Sequence, residues 1–133
     1  MLKFAKQSLS LAFVCIGLQA TASEQDIRNQ IALGALAYVD NCRQCHQVDG
    51  YGEEKLYPSL HDPQLMADKA LLIRTILHGR IVSSGNTDGS TKRLMPSLAF
   101  LTDEEIVAII AFISNSWGDG VLVVSEQEVR DAR

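Results

Sequence analysis

The feature that most constrains this chain is the pentapeptide Cys42-Arg43-Gln44-Cys45-His46. C-x-x-C-H is the attachment signature of a c-type haem. Each thiol can add to one vinyl group of the haem as a thioether, and the two intervening residues match the separation of the cysteines to that of the vinyl groups. The adjacent histidine is then carried under the iron. The motif therefore predicts one haem c, held covalently by Cys42 and Cys45, with His46 as an iron ligand.

Two other interpretations of the cysteine pair stay open at this point. A C-x-x-C pair can form a thiol–disulfide redox centre, but such a pair normally begins a helix in a strand-rich α/β domain, and no strand pattern surrounds this one. A zinc site would need two more Cys or His ligands at suitable spacing. His61 and His78 are 17 residues apart, unlike the histidines of a zinc finger. The pattern favours haem over both.

Residues 1–22 have the pattern of a secretory signal peptide. Lys3 and Lys6 form a positive n-region, residues 9–18 form a short apolar run, and the small residues at 20–22 suit a cleavage site. The apolar run is well short of the ~20 residues that a spanning helix needs. We therefore expect cleavage, location in the periplasm and no stable membrane insertion afterwards.

The composition limits what the remaining domain, residues 23–133, can do. It has the length of one domain, and hydrophobic residues make up 47% of the sequence, which is too many for a disordered chain. Loss of the two lysines of the signal takes the formal net charge from −4 to −6. This acidic balance argues against general nucleic-acid binding. With 6% aromatic residues, a core built from side chains alone would contain few large apolar groups, and a large apolar cofactor would supply the missing apolar volume.

Apolar residues recur at helical spacing in the first half of this domain. We expect a first helix from about residue 24 to 41, capped by Ser23 and directly before the haem motif. Asp62, followed by a proline, should be the N-cap of a second helix that ends at His78. Residues 83–91 are polar and predict an exposed loop.

The second half contains two helix-opening signals. Thr102 and Glu105 form a capping box for a third helix that ends near Trp117, and Ser125 and Glu128 form another for a short C-terminal helix. The predicted fold is all-α, with three main helices and a short C-terminal helix wrapped around one covalently bound haem.

A haem iron has a second axial position, for which the chain offers four candidates. They are Met66, Met95, His61 and His78. Met95 precedes Pro96 in a loop before the third helix, from which it can reach the haem face opposite His46. Met66 falls on an apolar helix face, where methionine usually fills the core. We therefore expect His46 and Met95 as the axial ligands, which leaves the iron suited to one-electron transfer.

With these motifs, essentially all of residues 23–133 resembles a class I c-type cytochrome. In that family a glycine lies eight residues, and an aromatic residue four residues, before the first haem cysteine. Here these positions are Gly34 and Tyr38. The last helix of the family packs an aliphatic and an aromatic residue on that glycine, and Ile109 and Phe112 fit.

The resemblance also implies roles for residues around the haem. A proline carbonyl accepts a hydrogen bond from the proximal histidine in the family, and Pro58 fits that position. The Met-Pro pair before the last helix matches Met95 and Pro96. Gln47 is a departure, because many members have glycine directly after the histidine. The ligand roles that the resemblance implies fall on Cys42, Cys45, His46 and Met95.

The function that the resemblance implies is non-enzymatic electron transfer between a donor and an acceptor redox protein in the periplasm. The segment at 115–118 is similar to that of small cytochromes that partner periplasmic dehydrogenases or copper nitrite reductases, and a terminal oxidase is a further candidate acceptor. One alternative is a tightly held electron-transfer subunit of a dehydrogenase. Another is a haem enzyme or gas sensor with an open sixth coordination site, in which Met95 only fills the core.

Several cations lie close in sequence to the segments expected to contact haem. They are Arg43, Lys55, Arg80, Lys92 and Arg93. They can be ordinary solvated surface charges or partners of the haem propionates. Alternatively they form a basic rim that steers an acidic redox partner.

Overall fold

A computed structural model of the chain describes residues 19–53, 56–83 and 92–133, with the side chains of 24–53, 56–81 and 95–133. Most of the predicted signal peptide and of the predicted loop at 83–91 therefore lies outside the described residues. The described elements are α1 (Gln19–Asn41), α2 (Arg43–His46), α3 (Pro63–Ala67), α4 (Lys69–His78), β1 (Arg80–Ser83), β2 (Lys92–Met95), α5 (Asp103–Trp117) and α6 (Glu126–Ala132).

The two longest helices, α1 and α5, cross in direct contact and form the centre of the fold. Gly34 lies at the crossing, where a Cβ atom would come within 1.9 Å of the Ala108 carbonyl oxygen and 2.8 Å of the Phe112 Cβ atom. Any larger side chain would push the helices apart. The expectation that Gly34 permits a close crossing is confirmed, with the backbone of Ala108 rather than Ile109 as the nearest neighbour.

Helix α1 differs from the sequence prediction at its start and on its buried face. Its backbone is helical from Gln19, so Ser23 is not at the N-cap as predicted, because the preceding alanines and glutamine continue the helix. Ala37 and Tyr38 are buried, whereas Ile27 and Val39 are 37% and 41% exposed. The face toward α5 is narrower than the apolar pattern predicted.

Helix α5 begins and ends where its sequence pattern predicted. The Thr102 hydroxyl accepts a hydrogen bond from the Glu105 amide, and the Glu105 carboxylate accepts from the Thr102 amide. The predicted stripe of Ile106, Ile109, Ile110 and Ile113 is buried, and the helix also buries Val107, Ala108, Ala111 and Ser114. Since burial of one such side chain contributes about 1.5–3 kcal/mol, this stripe is a major part of the core.

The predicted second helix is divided in two at Asp68, which corrects the prediction of one helix over residues 63–78. The Asp62 carboxylate accepts from the Gln64 amide at 2.8 Å, as expected for the N-cap of α3. Asp68 then leaves helical geometry, and its carboxylate caps α4 by accepting from the Leu71 amide at 2.9 Å. An aspartate competes with the helix backbone in this way because its short side chain reaches nearby amides.

Strands β1 and β2 form an antiparallel pair that the all-α prediction did not include. Arg80 lies opposite Met95, and Ile81 lies opposite Leu94. The pair is short and the rest of the regular structure in the described residues is helical, so the predicted all-α class holds.

Helix α6 packs against α4 and α5 and opens with the predicted capping box. Before it, Val124 is buried and Val123 is 72% exposed. Within the part of the chain that the structure describes, no helix combines the length and the apolar character needed to cross a bilayer.

Candidate haem site

The haem motif is a single helical turn directly after α1. The Cys42 amide donates to the Tyr38 carbonyl at 2.8 Å, and the His46 amide donates to the Cys42 carbonyl at 2.9 Å. Residues three and four apart share one face of a helix. The turn therefore presents Cys42, Cys45 and His46 on the same side, and both thiols are free and partly buried.

His46 is buried, and a backbone carbonyl fixes its ring. Nδ1 of His46 lies 3.1 Å from the Pro58 carbonyl oxygen. Because a carbonyl only accepts, Nδ1 carries the ring proton, and Nε2 keeps its lone pair. Burial lowers the pKa of His46, while the bond to Pro58 acts in the opposite direction, so the imidazole is neutral. A neutral ring with a free Nε2 is the form that can ligate a metal.

An apolar cavity beside this turn is lined by residues from distant parts of the chain. Cys42, His46 and Met95 line it, along with Tyr38 and Thr75. The remaining lining side chains are aliphatic: Leu60, Leu65, Leu72, Ile76, Ile109 and Ile113. Cys45 does not line this cavity but lies on the same face of the turn as Cys42 and His46. A thiol, a neutral imidazole and a thioether at one apolar cavity, with a second thiol beside it, fit an apolar cofactor with a central metal ion.

Met95 is partly buried against the core at the end of β2. Gly79, the residue before β1, lies against this segment, because a Cβ atom on it would come within 2.3 Å of the Met95 carbonyl oxygen. Gly79 has φ +73°, a conformation that favours glycine. The sequence identified Gly79 only as the end of a helix, and its contact with Met95 depends on the strand pairing.

An aromatic cluster packs behind the haem motif. Trp117 contacts Tyr38 and Phe112, with ring centroids 5.2 and 5.6 Å apart, and it lies 5.7 Å from His61. It also covers Gly50, where a Cβ atom would come within 2.6 Å of the indole. The Tyr38 hydroxyl donates to the Gln47 carbonyl at 2.6 Å. Trp117, at the end of α5, thus also packs against the loop after His46.

Comparison with known proteins identifies the family. The family model of cytochrome c matches residues 31–117 of this chain. The chain belongs to the cytochrome c family. It carries haem c with its iron, attached covalently through Cys42 and Cys45, and the residues described above fit that group.

Relatives of two kinds resemble this cytochrome. Cytochrome c-552 of Thermus thermophilus is 32% identical over 114 residues, which is 82% of this chain and 71% of the relative. The cytochrome c subunit of a quinone alcohol dehydrogenase from Gluconacetobacter polyoxogenes is 30% identical over 88 residues. The gluconate 2-dehydrogenase cytochrome c subunit of Pantoea cypripedii is 31% identical over 105 residues. These matches cover 65% and 75% of this chain but only 19% and 24% of the two subunits.

Gln47, directly after the haem motif of this cytochrome, has an unusual backbone conformation. Its φ and ψ angles are 64° and 172°, a region that is essentially restricted to glycine. The sequence comparison with the family flagged this position because many members have glycine there. The structure supplies the physical reason, since the chain must turn sharply at this point into the loop that carries Pro58.

The other ligand candidates do not line the haem cavity. Nε2 of His61 donates to the Asp49 carbonyl at 2.8 Å, and Nε2 of His78 donates to the Ala132 carbonyl at 2.9 Å. Met66 is buried in α3 as part of the core, as predicted.

The two alternative interpretations of the cysteine pair find no support in the cytochrome structure. Burial, together with the neighbouring Cys45, raises the pKa of Cys42 to about 11. A reactive redox thiol needs a lowered pKa. Within residues 19–53, 56–83 and 92–133, no group of three or more His, Cys, Asp or Glu side chains is arranged to hold a metal ion.

The predicted basic rim is described only in part. Arg43 and Arg80 are exposed. Lys55 and the side chains of Lys92 and Arg93 lie outside the described part of the structure.

Proposed function

We propose that this cytochrome is a periplasmic one-electron carrier whose haem iron is ligated by His46 and Met95. The observation that carries the proposal is that these two side chains line the same apolar cavity as Cys42, although they lie in distant segments. Bound haem supplies an iron that takes up and releases one electron. With His46 and Met95 both bound to the iron of the haem, the protein would leave no site where a substrate could bind the metal.

The surrounding residues have distinct roles in this proposal. Cys42 and Cys45 hold the haem edge, and Pro58 fixes the ring of His46 by accepting its Nδ1 proton. The aliphatic lining excludes water. A soft thioether ligand and burial both favour the ferrous state, which raises the reduction potential.

The proposed organisation is a signal peptide over residues 1–22 and a cytochrome domain over 23–133. The charged n-region and the small residues before Ser23 support it. The test is N-terminal sequencing of the mature protein from a periplasmic fraction. A mature chain that begins at Ser23 is expected, and an intact Met1 in that fraction would contradict the proposal.

For the redox partner we propose a periplasmic dehydrogenase as the electron donor, because two relatives are named cytochrome c subunits of dehydrogenases. A copper nitrite reductase and a terminal oxidase stay predictions for the acceptor. The same relatives favour a second candidate, in which this cytochrome is a bound subunit of such an enzyme. Gel filtration of a native extract separates the two, since a free carrier elutes below the 14.6 kDa of the uncleaved chain, whereas a bound subunit elutes with the whole enzyme.

The decisive test of ligation is the visible spectrum of the holoprotein. We expect low-spin bands in both oxidation states, a weak red sulfur-to-iron band in the ferric state, and no binding of carbon monoxide to the ferrous state. Met95→Ala should lose the red band, whereas Met66→Ala, which removes the other described methionine, should keep it. A high-spin spectrum or prompt carbon monoxide binding to the wild type would favour a haem enzyme or gas sensor instead.

A further inference from the structure

The segment that follows Met95 has little apolar burial to hold it in place. Only Leu98 and Leu101 are buried between residues 96 and 101, and Phe100 is 72% exposed. A segment with few buried side chains opens easily unless polar contacts hold it. Its position therefore depends on its hydrogen bonds.

On one side the segment is bonded to the end of α4. The Ser97 hydroxyl donates to the Leu77 carbonyl at 2.5 Å, and the Leu98 amide donates to the Ile76 carbonyl at 2.9 Å. These contacts hold the first half of the segment, next to Met95.

On the other side, the second half of the segment is held by Arg133, which follows α6. Two of its guanidinium nitrogens donate to backbone carbonyls, Nη1 to Ala99 at 2.8 Å and Nη2 to Leu101 at 2.7 Å. Its Nε donates to the Asp103 carboxylate at 2.8 Å. The planar guanidinium can make these three charge-assisted bonds at once, which a lysine cannot do.

Arg133 is itself held in position by contacts of α6. Val129 of α6 is fully buried, Lys69 and Glu128 form an ion pair at 2.5 Å, and His78 donates to the Ala132 carbonyl. These contacts fix α6 and thereby restrain the position of Arg133. Residues 118–133 lie beyond the region that the cytochrome c family model matches, which ends at residue 117.

We propose that Arg133 is a positioning residue for Met95. By bonding to Ala99 and Leu101 it restrains the segment that carries Met95, and it thereby lowers the fraction of molecules in which the thioether leaves the iron. The proposal rests on the proposed ligation by Met95. On this proposal, α6 and Arg133 determine how often the Met95 thioether is replaced as the distal ligand.

The test is the affinity of imidazole for the ferric holoprotein, because imidazole binds only when Met95 has left the iron. Its apparent dissociation constant falls in proportion to the rise in that open fraction. Arg133→Ala should bind imidazole about tenfold more tightly than the wild type, since charge-assisted bonds are lost. Arg133→Lys keeps the charge and loses the planar set of donors, so it should also bind imidazole more tightly than the wild type. It replaces Arg133→Ala in the test if the alanine variant does not fold. Circular dichroism under the same conditions verifies that each variant is folded.

Arg130→Ala is the matched control. Arg130 lies in α6 and contacts Asp103 at 3.6 Å and Glu126 at 3.2 Å, but it is not bonded to Ala99 or Leu101. Imidazole affinity should stay within about twofold of the wild type, because exposed ion pairs contribute little. An equal shift in Arg130→Ala would show a charge effect and overturn the proposal.

The outcomes separate this inference from the proposed function. If the wild type shows the red band and Met95→Ala loses it, ligation by Met95 stands. Unchanged imidazole affinity in folded Arg133→Ala, or in folded Arg133→Lys where the alanine variant does not fold, would then overturn only the positioning role. If the wild type lacks the red band and binds carbon monoxide, both proposals fail.

Discussion

The two sides of the haem site are held in place in different ways. On the proximal side, the Pro58 carbonyl accepts a bond from His46, and the half-buried indole of Trp117 packs against Gly50 and against the rings of Tyr38 and Phe112. On the distal side, the backbone of residues 97–101 is held by hydrogen bonds to the end of α4 and to Arg133. Apolar packing is lost only when a domain unfolds, whereas a few polar contacts can open locally. With Met95 as the proposed ligand, this comparison predicts that ligand exchange takes place on the distal side.

Trp117→Ala tests the proximal side and should have the largest effect. Removal of the indole leaves a cavity between Tyr38, Phe112 and Gly50, and the free energy of unfolding should fall by about 3 kcal/mol. Urea unfolding of the holoprotein measures this loss. Trp117→Phe should lose much less. The red ferric band should persist without urea, and its loss would contradict the separation of the two sides.

Gly79→Ala tests the distal side. The new Cβ atom would clash with the Met95 carbonyl at a positive φ and extended ψ, where a non-glycine residue costs roughly 1–3 kcal/mol before the clash is counted. We expect a weaker red band and imidazole binding that is at least tenfold tighter, as a loss of this size implies. Gly120→Ala is the control, because Gly120 also has a positive φ but no atom lies within 4 Å of its Cβ position. An equal change in both variants would rule out a specific effect on Met95.

Gln47→Gly should strengthen the proximal side. Release of a conformation restricted to glycine gains roughly 1–3 kcal/mol, and the greater entropy of glycine in the unfolded chain offsets part of this. The expected result is an increase of about 1 kcal/mol in the free energy of unfolding, with unchanged imidazole affinity. Gln44→Gly, in the helical turn of the same motif, should instead destabilise by about 1 kcal/mol. Destabilisation by both glycines would refute this account of Gln47.

The smallest expected effect is a loss of stability at low pH that comes from Glu128, in the helix that positions Arg133 on the distal side. Bonds from Lys69 and from Ser125 hold the pKa of Glu128 down to about 2. Since this pKa is lowered, the stabilisation is complete above the ordinary carboxyl range and is lost as the pH falls toward 2. Glu128→Gln should therefore melt below the wild type at pH 6, and the gap should narrow by pH 3. Lys69→Ala should also melt below the wild type at pH 6, by a difference that narrows by pH 3. Arg74 and Asp131 line the groove that contains Lys69 and Glu128, and their charges stay in place in both variants. A gap that is independent of pH would contradict this assignment.

Features that depend on neighbouring residues could be predicted from the sequence. The capping boxes at Thr102 and Ser125, the buried stripe of α5 and the haem motif all lie within one or a few helical turns. The family resemblance added the contact of Pro58 with His46, which spans 12 residues, and it pointed to Gly34 at the helix crossing. At each of these positions the structure requires a residue type that few other residues can replace.

Other features were missed because their signals are weak or distant. Asp68 lies inside an apolar helical pattern, and only the competition of its side chain for backbone amides ends α3 there. The strands around the predicted loop are four residues each, too short to show an alternating pattern. Arg133 looks like any charged residue on a polar helix. Its partners lie 30 to 34 positions earlier, beyond the reach of local patterns.

The reach of the Arg133 contacts also has a consequence for the order of maturation. Synthesis releases the chain from its N-terminus, so Cys42 and Cys45 emerge well before Arg133. The helical turn that presents the two thiols needs only its immediate neighbours, whereas the second half of the distal segment lacks its bonds to Arg133 until α6 has been made. The thiols are thus available for haem attachment while the opposite side is still open. Arg133 then closes a site in which the thioether bonds can already exist.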